Sequence, residues 1–325
     1  MGIRQQVLSR LREASPCFLS GEALAQQEGV TRAAVWKAIS QLRNSGYRIA
    51  GTPRKGYRLL EPPDLLYPQE VNPLLRTTWL GRGPFHYFRE TGSTNDQAKL
   101  LASRGCPDGT IVVAEAQSAG RGRLGRTWLS PPGTGLYFSL VLRPRVTPAV
   151  APRVTLLAGV ALCRAIRHTA GVKAEIKWPN DILVGSKKLA GILTEMEAET
   201  EAIHHLILGI GVNVNMQACE LAPALEATSL YLETGKRHSR PELMARILLE
   251  LESLWEVFQK EGFSKIRDMW MELSATVGRL VGIERWDGGV IMGKAEEIDQ
   301  EGALLVADGE GQLHRIAYGE VLHVR

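Results

Sequence analysis

A chain of 325 residues exceeds one ordinary domain and is expected to hold two or three. Its 44% hydrophobic and 23% charged residues suit a globular protein. No apolar run is read as reaching the ~18 residues that span a bilayer, so no membrane partner is expected. The net charge of +4 is uneven: residues 1–60 hold ten Lys/Arg against three Asp/Glu, and the rest hold 29 against 32. A basic segment on a slightly acidic body suggests a nucleic-acid-binding module attached to something else.

The N-terminus, MGIRQQVLSRLREA, is polar and periodic, with no apolar signal-peptide core. Four scattered cysteines (Cys17, Cys106, Cys163, Cys219) fit a reducing cytoplasm and are expected as small core residues. In the first sixty residues Ile3, Val7, Leu8 and Leu11 recur at helical spacing. Ser20 can cap a short helix carrying Leu24, Gly29 supplies a turn, and Thr31 caps a third helix that stops at Gly46. Val35, Ile39 and Leu42 share one face of that helix. Arg32, Ala33, Trp36, Lys37 and Ser40 lie on or near the other, small, cationic and polar, as a helix entering a major groove requires. YRIAGT and GYRLL around PRK predict a hairpin wing, with Arg54, Lys55 and Arg58 available to phosphates. The segment reads as a winged helix-turn-helix that binds DNA. EPPDLLYP (Glu61–Pro68) is the expected linker.

The middle region mixes strands with long helices. Strands are expected in TIVVAEAQ, LYFSLVLRP, AEIKWPNDILV, AGILTEMEA and HHLILGIGVNVN, and helices at Thr94–Arg104, Ala151–Thr169 and Arg240–Lys260. Helices do not regularly separate the strands, so the class is α+β, not a doubly wound parallel sheet. From about Ala275, RLVGIER, VIMGKAEEID, ALLVAD and LHRIAYGEVLHVR predict a small antiparallel barrel. The expected domains are 1–64, 65–273 and 274–325.

Five clusters carry candidate chemistry. GRGRLGRTW (Gly120–Trp128) has three glycines that expose backbone N–H groups and three arginines suited to phosphate or carboxylate. It matches G-x-G-x-x-G, but a loop (TWLSPPGTG) follows instead of a helix, which argues against a dinucleotide fold, and no Gly-Lys-Ser/Thr marks a P-loop. In KWPND (Lys177–Asp181) Trp-Pro fixes an extended turn that displays Asp181 at the start of the strand DILV; alone it would read as a plain turn. SKKLAGIL (Ser186–Leu193) puts two lysines at the entry of a β run. ETGSTND (Glu90–Asp96) offers Ser93 and Thr94, which alone would read as helix caps. LGIGVNVN (Leu208–Asn215) is a glycine-interrupted strand that a ligand can approach closely. No nucleophile–histidine pair and no metal-ligand histidine spacing is found among these clusters. Phosphoryl or nucleotidyl chemistry driven by charge neutralisation is what remains.

In this order the five clusters resemble the biotin–protein ligases, and with the winged helix the class that also represses biotin operon transcription. The resemblance spans nearly the whole chain and is most specific in GRGRLGRTW, KWPND and KKLAGIL. It implies formation of biotinyl-5′-AMP from biotin and ATP, with Mg²⁺, and transfer of biotin to a lysine of a carboxylase carrier domain. Ser93, Thr94, Asn95 and Gln117 look like biotin contacts, and Arg121, Gly122 and Arg123 like the biotin and adenylate loop. Lys188, with Lys187 as its neighbour, aligns with the family's key lysine, and Asp181 with its conserved acid. Trp128 is expected to cover the adenylate, and the loop to order around it as a lid linking enzyme to DNA-binding domain. Lys188, Arg123 and Asp181 are the expected catalytic residues, Asp181 orienting the acceptor amine. The resemblance also implies a class II aminoacyl-tRNA synthetase-like centre, an SH3-like C-terminal barrel, operator DNA as partner and a homodimer when biotinyl-AMP is bound. Two rivals are a ligase whose winged helix no longer binds DNA and a ligand-sensing regulator without catalysis. Lipoate–protein ligase, which lacks the GRGR loop and the winged helix, is a more distant reading.

Overall fold

The computed structural model describes residues 2–61, 63–144, 146–199, 203–221, 226–284 and 289–323. Pro62 of the expected linker, and Arg285 and residues 324–325 of the expected C-terminal strands, lie outside them. The chain divides into two compact units, Met1–Pro73 and Leu74–Arg325.

In the first unit, α1 (Ile3–Glu13), α2 (Gly21–Gln27) and α3 (Arg32–Asn44) precede the hairpin of β1 (Arg48–Thr52) and β2 (Gly56–Glu61), then α4 (Pro68–Val71). The caps form as expected: Ser20 Oγ accepts from Ala23 N at 2.9 Å and Thr31 Oγ1 from Ala34 N at 3.2 Å. Val7, Leu8, Leu11, Leu24, Val35, Ile39 and Leu42 form the core. Leu19 adds a bridge to Tyr57, outside the hairpin. Gly56 makes this possible: its φ is +101°, and a Cβ there would stand 2.0 Å from Leu19 O. The unit runs beyond residue 64 because buried Glu70 of α4 accepts hydrogen bonds from Arg12 and Tyr47.

The second unit opens with β3 (Phe85–Phe88), α5 (Thr94–Ser103), β4 (Ile111–Ala114), β5 (Gly135–Leu142) and α6 (Ala151–Ala170). Strands β6 (Ala174–Lys177), β7 (Asp181–Val184), β8 (Lys187–Ala198) and β9 (Ile203–Asn213) follow, then α7 (Leu230–Thr234), α8 (Arg240–Glu261) and α9 (Ser264–Glu272). The last strands are β10 (Leu280–Glu284), β11 (Val290–Ile298), β12 (Leu304–Ala307), β13 (Leu313–Ile316) and β14 (Glu320–His323). A seven-stranded sheet runs β3-β4-β5-β9-β8-β7-β6, antiparallel except for β3–β4. Ala98 and Ala102 of α5 pack on Val112, Val141 and Ile207. The small residues bring the N-terminus of α5 close to the sheet.

Three expectations change, and the C-terminal pairing is added. AEIKWPNDILV is not one strand: Lys177 pairs with Asp181, so Trp178-Pro179-Asn180 is the turn between β6 and β7, where a residue without N–H fits. The C-terminal strands form an antiparallel sheet ordered β13-β12-β11-β10-β14. Pro148–Ala170 is long and apolar enough to cross a membrane by composition, yet 67% of its apolar window is buried, as a core helix would be. Cys17 and Cys219 are exposed, and only Cys163 is a buried core cysteine.

The C-terminal sheet is tied to the central one. Ile176 N donates to Leu273 O and Ala275 N to Ile176 O, each at 2.8 Å, so residue 274 covers the β6 edge. Trp178 donates its N–H to Thr276 Oγ1 (3.0 Å) and its indole N–H to Gly302 O (3.1 Å).

Candidate active site

One cavity of the second unit is lined by Ser93, Thr94, Asn95, Gln117, Arg121, Gly122, Arg123, Trp128, Asp181 and Lys188, every residue expected from the second unit's motifs. Its walls differ in chemistry.

One wall is neutral and hydrogen-bonding. Ser93 occupies the N-cap position of α5 but makes no capping bond. Instead Gln117 Oε1 accepts from Thr94 N (2.8 Å) and Thr94 Oγ1 (3.1 Å), while its Nε2 donates to Ser130 Oγ (2.9 Å). Ser139 Oγ, from β5, donates within reach of Thr94 Oγ1 (2.8 Å) and Asn95 Oδ1 (2.6 Å). Asn95 Nδ2 donates to Glu195 Oε2 (2.7 Å). Buried polar groups are costly unless paired, so this network fixes each rotamer.

The opposite wall is cationic. Lys188, at the entry of β8, places Nζ 2.7 Å from Asp181 Oδ1 and 5.4 Å from the Trp128 ring centre. Asp181 Oδ1 is buried and, beyond that ion pair, accepts no aligned hydrogen bond. Lys187 is exposed and outside the cavity. Arg123 donates to Asn180 Oδ1 and Gly319 O, both at 3.3 Å, and burial lowers its pKa. Lys177, also lining the cavity, is lowered by burial, against the pull of Asp181 and Glu320. Arg126 pairs with Glu320 at 2.5 Å. Arg121 differs: its fork is taken by Asp96, at 2.7 and 2.5 Å, and that hydrogen bonding raises its pKa.

Glycines make the floor. A Cβ on Gly209 would stand 2.2 Å from Asn95 Oδ1, and one on Gly211 2.6 Å from Trp128 Nε1. Gly191, paired with Gly211, would bring a Cβ within 3.2 Å of Trp128 Cζ3. The Trp128 indole N–H is buried with no partner. Beside it lies an apolar recess of Met216, Leu221 and Ala227.

Sequence reasoning missed Lys177 and Asn180, which sit inside the KWPND cluster it singled out, and Ser139, Glu195 and Glu320. Ser139 is a polar residue in an apolar strand and Glu195 sits in the polar second half of β8, signals only when the strand is known to face a site. Glu320 is more than 190 residues from Arg126 in sequence, and nothing local marks it.

On the first unit, Arg32, Ala33, Trp36 and Lys37 are exposed on α3 and Ser40 is half-buried. Trp36, at 63% exposure, is unusually open for a tryptophan. Arg54 and Lys55 are exposed at the hairpin tip. Arg32, Ala33, Trp36, Thr52 and Arg54 share a groove. Arg58 lies over Phe18, 4.7 Å from its ring centre.

The comparisons with known proteins agree along the chain. Residues 87–213 match the biotin/lipoate A/B protein ligase family, 3–58 a helix-turn-helix domain, and 276–324 the biotin protein ligase C-terminal domain. The chain is 39% identical over 311 residues to the bifunctional ligase/repressor BirA of Bacillus subtilis, covering 95% of both. It is 34% identical to the Escherichia coli protein of that description, covering 89% of this chain and 88% of the other. Among solved structures, the Aquifex aeolicus biotin protein ligase in complex with biotin and ATP superposes with a TM-score of 0.64 at 30% identity, covering 74% of this chain and 97% of that one. The chain belongs to the biotin/lipoate A/B protein ligase family, with the bifunctional ligase/repressors as its full-length relatives.

Proposed function

We propose that this chain makes biotinyl-5′-AMP from biotin and ATP, transfers biotin to a lysine of a carboxylase carrier domain, and represses biotin synthesis genes when biotin is plentiful. One observation carries the catalytic reading: a single cavity joins a neutral hydrogen-bonding wall to a cationic one across a glycine floor. Biotin needs those two environments. Its ureido ring is neutral and offers both donors and acceptors, as Thr94, Asn95 and Gln117 do. Its carboxylate must meet the α-phosphate of ATP, and two anions approach only where cations neutralise them.

In the first step a biotin carboxylate oxygen bonds to the α-phosphorus and the bond to pyrophosphate breaks. Lys188 and Arg123 neutralise the charge on the reacting oxygens, with Lys177 adding to the field. Gly122 lets the loop backbone approach the adenylate. Trp128 covers it, excluding water from a hydrolysable anhydride. The apolar recess beside Trp128 suits the adenine ring. In the second step the acceptor amine bonds to the acyl carbon and loses a proton as the acyl–oxygen bond breaks and AMP leaves; Asp181 orients that amine and helps take its proton. Among the described residues no group of three or more His, Cys, Asp or Glu could hold a metal alone. Mg²⁺ usually binds through one or two carboxylates and substrate phosphates, and Asp181, the carboxylate paired with Lys188 in the cavity, would supply the protein's share. The ion would supply charge neutralisation.

On this reading the central unit takes a class II aminoacyl-tRNA synthetase-like fold, the C-terminal sheet is SH3-like, and the protein works in the cytoplasm. Biotinyl-AMP promotes a homodimer whose α3 helices read a two-fold symmetric operator through Arg32, Ala33, Trp36, Lys37 and Ser40, while Arg54 and Lys55 meet phosphates. Incubation with labelled biotin, ATP and a carrier domain tests the enzyme: labelled carrier is expected, and none beside active controls refutes it. Gel shifts with the adenylate test the repressor. Equal binding to operator and random DNA would leave a ligase whose winged helix no longer reads DNA.

A further inference from the structure

The loop from Gly120 to Trp128 is fastened to the rest of the second unit by its arginines. Its stem is a bridge between Arg121 and Thr127, closed by Gly122 N to Arg126 O (2.7 Å) and Trp128 N to Gly120 O (2.9 Å). Two of its arginines go to the Gly319–Glu320 segment and the third goes elsewhere. Arg126 reaches Glu320 of β14, and Arg123 reaches Asn180 and Gly319. Arg121 reaches back to α5, where Asp96 accepts both of its terminal nitrogens and Glu195 stands 3.8 Å away. Glu195 is itself held by Asn95 and by Lys99, 2.5 Å away. At the loop tip the Leu124 side chain is 78% exposed, with φ +55°.

We infer that Asp96 is a positioning residue: by holding Arg121 it sets the stem that carries Arg123 and Trp128 to the cavity, and Arg121 serves as an anchor, not as a ligand for the substrate anions. This rests on the proposed ligase reading for its kinetic consequence, but not for its structural one. A two-pronged arginine–carboxylate contact is directional, so it fixes where the stem lies. With Glu195 already shared between Asn95 and Lys99, Asp96 is the partner that decides Arg121's place.

The experiment compares wild type with Asp96→Asn, Asp96→Glu, Arg121→Ala and the double variant Asp96→Asn/Arg121→Ala. Trypsin is applied to the ligand-free proteins, since the loop holds three arginines. Asp96→Asn should be cut in the loop about fivefold faster, the scale of a part-exposed ion pair. Asp96→Glu should be cut more slowly than Asp96→Asn, the double variant no faster than Arg121→Ala, and biotin with ATP should remove the difference. In adenylate formation, KM for biotin should rise about fivefold for Asp96→Asn. Its kcat should stay near wild type, because saturating ligand pulls the loop into place. Wild-type cutting and KM in Asp96→Asn would overturn the inference. So would a loss matched by an equal fall in thermal midpoint, which marks Asp96 as merely part of the first turn of α5. If wild type forms no adenylate, the ligase reading fails while the trypsin comparison still decides the anchor.

Discussion

Gly209→Ala adds one methyl to the floor of the cavity. Gly209 does not have the left-handed backbone that only glycine tolerates, so the effect is steric. The new Cβ would stand 2.2 Å from Asn95 Oδ1 and 2.9 Å from its Cγ and Nδ2. Asn95 is 4% exposed and cannot turn into water. Moving it breaks its bonds to Glu195 (2.7 Å), Leu193 O (3.3 Å) and Ser139 (2.6 Å). At about 1 kcal/mol net for each, partly recovered by relaxation, the cost is about 2–3 kcal/mol. In a unit of this size 1 kcal/mol shifts the midpoint by about 2–4 °C, so Tm should fall by about 4–12 °C. Thermal unfolding followed by circular dichroism reads this, and biotin KM in adenylate formation should rise in parallel. In an Asn95→Ala background the same glycine change should cost less than about 1 kcal/mol, since its steric partner is gone. Wild-type Tm and KM in Gly209→Ala, or an undiminished cost in that background, would refute the reasoning.

Lys188→Met should abolish adenylate formation, whereas Asp181→Asn should form adenylate and slow transfer from preformed biotinyl-AMP; full-rate transfer would remove Asp181's role. Glu252 accepts from the N–H groups of Thr78 (2.6 Å), Trp79 and Leu80 (both 2.9 Å) and from the Thr78 hydroxyl (3.0 Å). Burial raises its pKa, and these donors outweigh burial to leave it below the ordinary carboxylate value. A depressed pKa contributes stability above the unfolded carboxylate value and loses it as pH falls through the folded one. Glu252→Gln should therefore cost about 2 kcal/mol at neutral pH, with the difference from wild type shrinking in acid, as denaturant titrations at several pH values would read. Gly56→Ala forces a methyl against Leu19 O and should displace the hairpin, lowering operator affinity in gel shifts without loss of adenylate formation. Arg32→Ala should weaken operator binding specifically, and Lys55→Ala should weaken it uniformly across sequences.

The first unit was legible because its signals are local: Ser20 and Thr31 cap their helices, and Val35, Ile39 and Leu42 repeat at helical spacing. Its boundary was not, because Glu70 belongs there through partners 58 and 23 residues away. In the second unit the motif residues meet in one cavity, as the clusters suggested. Their partners did not announce themselves: Asp96 looked like the tail of a capping sequence, and Glu320 like any polar strand residue. The KWPND turn was legible from Trp-Pro, which marks a turn before DILV, even though the run AEIKWPNDILV as a whole looked strand-like. The order of the C-terminal strands was not legible, because spacing of short β runs does not specify pairing.

The central claim is that this cavity joins biotin to the α-phosphate of ATP with release of pyrophosphate. Exchange of labelled pyrophosphate into ATP measures that step alone, without carrier or DNA. The account predicts exchange that depends on biotin and is absent in Lys188→Met. Exchange without biotin, or none in wild-type protein that binds both substrates, would contradict it.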